Sequence, residues 1–277
     1  MAKPQLRPLF EGSAGQRKQA ANRRLQNAVR KPGKPAPGGR AINDAKLKNR
    51  TARAGAVRKG VDPMRQNVFN QRWIDDRLRS VPQNWNYWHG TRPPNYWWRW
   101  ATWAAMSRWL AWNDEPYYYW YGDSVYYDDD VIYVDDEPVA SYEDYVETAD
   151  DLADLEDPPA DAEIDWESLG TWAISTDKDQ EGANMLVQLV IAPDGRVGGT
   201  YYRITSDNTQ RIHGALDKDA QRIAFKIGDS KTVLEVGLAN LTEDSAPLWV
   251  HFTEKRISQR WLMVRLESPE PTPEKDQ

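Results

Sequence analysis

From about Trp166 to Glu267 short runs of β-branched and aromatic residues recur, separated by turn signals. The runs are Thr171–Thr176, Met185–Ala192, Arg196–Ile204, Arg211–Leu216, Gln221–Gly228, Thr232–Leu241, Leu248–Thr253 and Gln259–Glu267. Within each, apolar residues fall on every second position, the period of a strand with one buried face. No run looks like a crossover helix, so consecutive strands must be antiparallel neighbours joined by hairpins. Pro193-Asp194-Gly195 is one such turn. Pairing Ala192 with Arg196 puts Val187, Leu189, Ile191, Val197 and Tyr201 on one face, and Gln188, Arg196 and Thr200 on the other. The alternation continues through Ile212, Phe225, Val236 and Val250 to Leu262, Val264 and Leu266. Eight such strands predict a closed up-and-down barrel filled by its own side chains, Trp172, Tyr201, Phe225 and Phe252 among them. The fold class is therefore mainly β. On the same parity His213, His251, Trp249, Trp261 and Met263 face outward.

Upstream the period changes. Residues 68–112 are rich in tryptophan (Trp73, Trp85, Trp88, Trp97, Trp98, Trp100, Trp103, Trp109 and Trp112). Pro93-Pro94-Asn95 before and Asn113-Asp114-Glu115-Pro116 after punctuate a helix over Tyr96–Trp112. Trp98, Ala101, Ala105, Trp109 and Trp112 would share one of its faces. Ser124–Tyr127, Val131–Val134 and Pro138–Ala140 read as a small meander with aspartates at the turns. Ser141–Leu155 reads as a helix capped by Ser141 with Asp144 three residues on, and Pro158-Pro159 ends it.

Charge divides the chain further. Residues 1–80 hold about 20 Lys and Arg against about 5 acids, while residues 110–167 hold about 21 acids and no Lys or Arg. Such segregation predicts either contact of the basic end with a polyanion or pairing of the two ends. Residues 1–67 carry few large apolar side chains, so they are expected to form a disordered basic arm, with a transient basic helix over Gln16–Val29 carrying Arg23, Arg24 and Arg30, and residues 1–62 are expected to be dispensable for folding. The boundaries that follow are 1–67 (arm), 68–112 (Trp-rich, one helix), 113–160 (acidic meander plus helix), 163–267 (barrel) and 268–277 (disordered tail).

Chemistry is sparse. Cysteine is absent and histidine limited to His89, His213 and His251, without zinc spacing, so no cofactor or metal is expected. Asp128, Asp129, Asp130, Asp135 and Asp136 lack the EF-hand pattern and suit turns instead. No phosphate loop, nucleophile elbow or dinucleotide fingerprint occurs, and the expectation is a protein that is not an enzyme. No apolar run approaches the length of a membrane span, and Lys3 and Arg7 are followed by no apolar stretch of a signal peptide. Three apolar groups on the outer wall of the last hairpin, Trp249, Trp261 and Met263, would form a docking patch. Trp98, Trp109 and Trp112 of the Trp-rich helix are the matching surface, and that helix or the next is expected to pack on this wall.

Gly170-Thr171-Trp172 resembles the Gly-x-Trp opening of lipocalin-like and avidin-like barrels. A longer resemblance covers about residues 85–267. It is carried by Ala101-Thr102-Trp103-Ala104-Ala105, Trp112-Asn113-Asp114-Glu115-Pro116, Tyr121-Gly122-Asp123-Ser124-Val125-Tyr126-Tyr127 and Val131-Ile132-Tyr133-Val134-Asp135. Gly199-Thr200-Tyr201-Tyr202, Leu238-Ala239-Asn240-Leu241-Thr242 and Leu248-Trp249-Val250-His251-Phe252 continue it. Together these resemble a planctomycete family labelled mu-protocadherin cell-surface proteins. The resemblance implies an extracytoplasmic protein of the cell surface or periplasm and no catalytic residues. The leading expectation is a non-enzymatic envelope protein whose basic arm contacts anionic envelope polymers or another envelope protein. The alternatives are a carrier holding a small apolar ligand in the barrel and, more weakly, nucleic-acid binding by the arm.

Overall fold

A computed structural model describes residues 11–30, 44–78, 88–155, 164–176 and 183–269. The expectations for residues 1–10 and 31–43 of the arm, for Trp85, for Pro158-Pro159 and for the tail beyond 269 lie outside the described residues. In chain order the elements are α1 (Ala14–Val29), α2 (Asp44–Arg65), α3 (Gln71–Leu78), α4 (Trp103–Trp109), β1 (Val125–Asp128), β2 (Val131–Val134), β3 (Glu137–Ser141) and α5 (Tyr142–Ala153). The barrel strands follow: β4 (Glu167–Ser175), β5 (Met185–Ile191), β6 (Arg196–Arg203), β7 (Asn208–Asp217), β8 (Arg222–Ile227), β9 (Thr232–Gly237), β10 (Ser245–Phe252) and β11 (Ile257–Leu266).

β4 to β11 form a closed antiparallel barrel in which every strand pairs with its sequence neighbours and β11 returns to β4. The predicted pairing holds across β5 and β6, where Val187 faces Tyr201 and Ile191 faces Val197. The interior is one packed cluster that includes Trp172, Val187, Leu189, Tyr201, Phe225, Val236 and Val250. Phe252 and Trp261 are partly buried against it at one mouth, their rings 6.0 Å apart.

The last strand corrects the predicted parity. Leu248 pairs with Trp261 and Met263 with Ile174, which turns Trp261 and Met263 inward. Leu262, Val264 and Leu266 point outward, under α2. Both faces of β11 are apolar, so alternation could not choose between them. The register with two neighbouring strands chooses, and a one-residue shift exchanges the faces.

The Trp-rich segment is also corrected. Instead of one helix it forms a 3₁₀ turn over Pro94–Trp98 and then the short α4, whose N-cap Thr102 accepts from Ala105 N–H. The break separates Trp98, buried in the α2 cluster, from Trp109 and Trp112. The buried face of α4 is Met106 and Leu110 rather than Ala105, and it seals the second barrel mouth. Trp109 Nε1 donates to the Ile191 carbonyl there, at 3.1 Å. Beside it Arg265 lies between the rings of Trp100 and Trp172, 4.7 and 4.2 Å from their centroids. Gly170, at φ +96°, leaves room for that guanidinium, which a Cβ would strike.

β1–β3 make the expected meander, and its hairpin aspartates (Asp129, Asp130, Asp135, Asp136) all adopt positive φ. α5 begins as expected: Ser141 Oγ accepts from Asp144 N–H at 3.0 Å.

The described parts of the arm are helical. α1 buries Ala21, Leu25, Ala28 and Val29 against the meander. α2 and α3 bury Ala54, Val57, Val61, Trp73 and Ile74 on the outer faces of β11, β4, β5 and β6. Within the arm these stripes are mostly Ala and Val, so the segment reads as weakly apolar although α1 and α2 each bury a face. Part of the charge segregation is met by pairing of the two ends. Arg17 binds Asp144 at 3.0 Å, Lys18 binds Asp151 at 2.5 Å, Arg30 binds Asp114 at 3.1 Å, and Lys46 binds Asp123. Among the described residues no helix is long and apolar enough to cross a membrane.

Candidate functional site

The outer wall of β8–β11 differs from the interior a few ångströms away. Alternation sends Arg222 and Lys226 of β8, Glu235 of β9, and Trp249 and His251 of β10 outward. Two segments cover them. The extended stretch Tyr117–Tyr121 is pinned by side-chain amides: Tyr117 N–H donates to Gln221 Oε1 at 2.6 Å, and Tyr119 N–H donates to Asn240 Oδ1 at 2.8 Å. α5 lies across β7, β8 and β9.

Glu235 is fully buried beneath them. The phenols of Tyr145 and Tyr121 donate to its Oε1 at 2.6 and 2.8 Å. Arg222 donates to its Oε2 at 3.2 Å and to Thr148 Oγ1 at 3.1 Å. Burial opposes ionisation of Glu235, yet the Arg222 guanidinium, the nearby His251 ring and the Tyr145 phenol reverse that and hold the carboxyl below its ordinary range. Burial raises the phenols of Tyr119, Tyr121 and Tyr145 well above theirs, so they stay protonated donors. His251 Nε2 lies 3.5 Å from Glu235 Oε2, and its Nδ1 lies 2.7 Å from Ser258 Oγ. The Tyr142 hydroxyl is 2.7 Å from the same Ser258 oxygen.

Where this cover ends, a half-open groove of about 1310 Å³ runs between α1 and α5, the meander and the β10–β11 hairpin. Tyr126, Tyr127, Tyr142 and Trp249 supply aromatic surface, and Ser258 lies in its lining. Among the described residues Tyr127 (50% exposed) and Ile257 (45%) are two of the four large apolar side chains left in solvent. Asp123, Asp130, Glu143, Glu147 and Asp150 face Arg17, Arg256 and Arg260 across it, so carboxylates outnumber guanidiniums. Several are already paired: Arg256 binds Glu143 at 2.5 Å, and Lys226 reaches in to Asp150 at 2.9 Å. Arg260 runs over Gly122, whose φ of +89° and missing Cβ admit it.

The six residues expected to form a docking surface are divided. Trp98 belongs to the α2 cluster, Trp109, Trp112, Trp261 and Met263 to the barrel core, and Trp249 to the layer under α5 and Tyr121. Only Trp249 reaches the groove. The expectation that a helix packs on the wall of the last hairpin holds in altered form. α5 meets Trp249, with the Tyr145 ring 5.6 Å from it, while α2 covers β11. Reading alternation alone misses Glu235, Ser258 and the tyrosines. The available signal was a charged residue, Glu235, on a strand whose flanks are apolar, together with His251 on the same outward parity. Among the described residues no group of three or more His, Cys, Asp or Glu is placed to hold a metal ion.

No protein-family model, curated protein or solved structure matches the chain.

Proposed function

We propose that the protein is an extracytoplasmic binding protein that takes a neutral or amino-bearing glycan segment in the groove over β10 and β11, with the barrel as its scaffold. The observation that carries this reading is the groove itself, with exposed Tyr127 beside several carboxylates and guanidiniums. The faintly positive C–H face of a sugar packs on the negative face of an aromatic ring. Carboxylate and guanidinium groups offer paired acceptors and donors for its hydroxyls. Several arm cations that would have bound uronate or phosphate polymers are held by acidic partners in the same chain. The packed interior weighs against a carrier of apolar ligands. The surface location rests on the family resemblance.

Titration of tryptophan fluorescence with chitohexaose and with polygalacturonate tests the reading. Saturable binding of chitohexaose alone is expected, weakened at least tenfold by Tyr127→Ala. Binding of polygalacturonate alone, insensitive to Tyr127→Ala, refutes it.

A further inference from the structure

We infer that Ser258 is a nucleophile and that the groove carries an acyl-transfer site for a carboxylic ester, with His251 as its base. The ester's carrier, an O-acylated glycan, rests on the glycan reading above; the chemistry at Ser258 does not.

Three neighbouring strands assemble the group. Ser258 pairs directly with His251 across β10 and β11, and β10 pairs with β9, which carries Glu235. The hydroxyl is 2.7 Å from Nδ1 on one side of the imidazole, and a carboxylate oxygen is 3.5 Å from Nε2 on the other. With its proton on Nε2, toward Glu235, the ring presents a bare Nδ1 lone pair to the serine. That is the order nucleophile, base, acid, recognised by geometry and not by sequence position; Nε2 makes no hydrogen bond in this structure, and its 3.5 Å approach to Glu235 has to tighten as the ring takes up charge. His251 is fully buried while Ser258 is half-buried and lines the groove, so the base is shielded from water and the nucleophile is not. Glu235 is held ionised by Arg222, and it faces the position where positive charge would form on the ring. Arg260, two residues further along the same face of β11, lines the groove and supplies a cation for the developing oxyanion. The Tyr142 hydroxyl, 2.7 Å away, holds the serine oxygen at the groove floor.

In the step that follows, Ser258 Oγ attacks the ester carbonyl carbon as its proton passes to His251 Nδ1. The tetrahedral adduct collapses, the C–O bond to the alcohol breaks, and the alcohol leaves with that proton. A water molecule then gives its proton to His251 and attacks the acyl-serine. Collapse of that second adduct breaks the bond to Oγ, which recovers the proton, and releases the carboxylic acid. Ester and water become alcohol and acid, with no other reactant. A buried network of purely structural purpose would have the same hydrogen bonds but no reactivity at Ser258.

The full chain treated with a fluorophosphonate probe and analysed by intact mass and peptide mapping decides between them. One adduct is expected, on Ser258, with release of p-nitrophenol from p-nitrophenyl acetate. Ser258→Ala should lose both while keeping its native fluorescence, and Ser206→Ala, on an exposed turn, should keep both. His251→Asn, if folded by the same criterion, should slow labelling at least about 100-fold. No adduct on the native protein, or an adduct that persists in Ser258→Ala, overturns the inference. Chitohexaose binding measured on Ser258→Ala separates the two readings. Binding without any adduct on the native protein removes the nucleophile alone, and an adduct without binding removes the glycan alone.

Discussion

The two faces of β8, β9 and β10 are both buried, and they are built on opposite principles. Inside, Phe225, Val236 and Val250 meet other apolar side chains in a cluster that also holds Trp172 and Tyr201. Outside, Arg222, Glu235 and His251 are equally hidden, but under tyrosines and α5, and directional bonds hold them. The interior is non-directional: its stability scales with area and tolerates exchange of shape at constant volume. The outer layer specifies which segment sits where, because its phenols and guanidinium bond to particular partners: Tyr121 and Tyr145 to Glu235, and Arg222 to Glu235 and Thr148. A barrel face that could have been solvated is thereby committed to a particular cover, and the edge of that cover defines the groove.

Three substitutions, combined in four variants, sharpen or break this contrast. Phe225→Ala should cost about 4 kcal/mol in urea unfolding, through lost transfer energy and a cavity. Arg222→Met should cost about 3 kcal/mol, because it strands the Glu235 carboxylate without its cation. The difference lies in rescue. Adding Glu235→Leu to Arg222→Met should recover most of the loss, whereas adding it to Phe225→Ala should not. If the double variant is no more stable than Arg222→Met, the outer layer is not governed by charge pairing.

A smaller effect concerns His89. It is stacked on Trp88, with ring centroids 3.6 Å apart, and Nε2 is 2.9 Å from Thr200 Oγ1. Burial lowers its pKa from 6.5 to about 3. The unfolded chain therefore takes up this proton first. Its stabilising share is complete above about pH 6.5 and declines as pH falls toward 3, by up to about 1.4 kcal/mol per unit. Unfolding at pH 7.5 and pH 5 should differ by about 2 kcal/mol from this group, and His89→Asn should remove that difference. Ser141→Ala, which deletes the cap of α5, should cost about 1 kcal/mol. Because α5 roofs the buried network, the same variant should speed amide exchange at Tyr145 and Thr148 more than within β8.

The barrel was legible because antiparallel alternation, turn residues and the absence of crossover helices all agree on it. Ser141 and Asp144 marked α5 for a comparable reason: capping is local. β11 was not legible in parity, since Trp261 and Met263 are as apolar as Leu262, Val264 and Leu266. A helix over Gln16–Val29 was visible, but its docking and the whole of α2 were hidden by the smallness of Ala21, Ala54 and Val57, whose value as contact residues depends on a partner far away in the chain. The groove was the least legible part. Ser258 and His251 lie seven residues apart in the chain, yet what makes them a site is Glu235 on another strand and a cover contributed by Tyr121 and Tyr145. No short-range pattern encodes such an arrangement.

The return of β11 to β4 orders events in time. The strands that close the barrel are its first and last, so the seam cannot form until the chain through Leu266 has left the ribosome. α2 rests on that seam, through Val57 and Val61 over Ala173, Val264 and Leu266. The segment synthesised early must therefore wait for the one synthesised late. Pairing across such a sequence separation is slow compared with hairpin formation. Until it happens Leu262, Val264 and Leu266 have no cover, and a nascent or truncated chain exposes two unpaired strand edges beside an apolar strip. A stop before Leu266 should therefore yield aggregates rather than a shortened soluble protein.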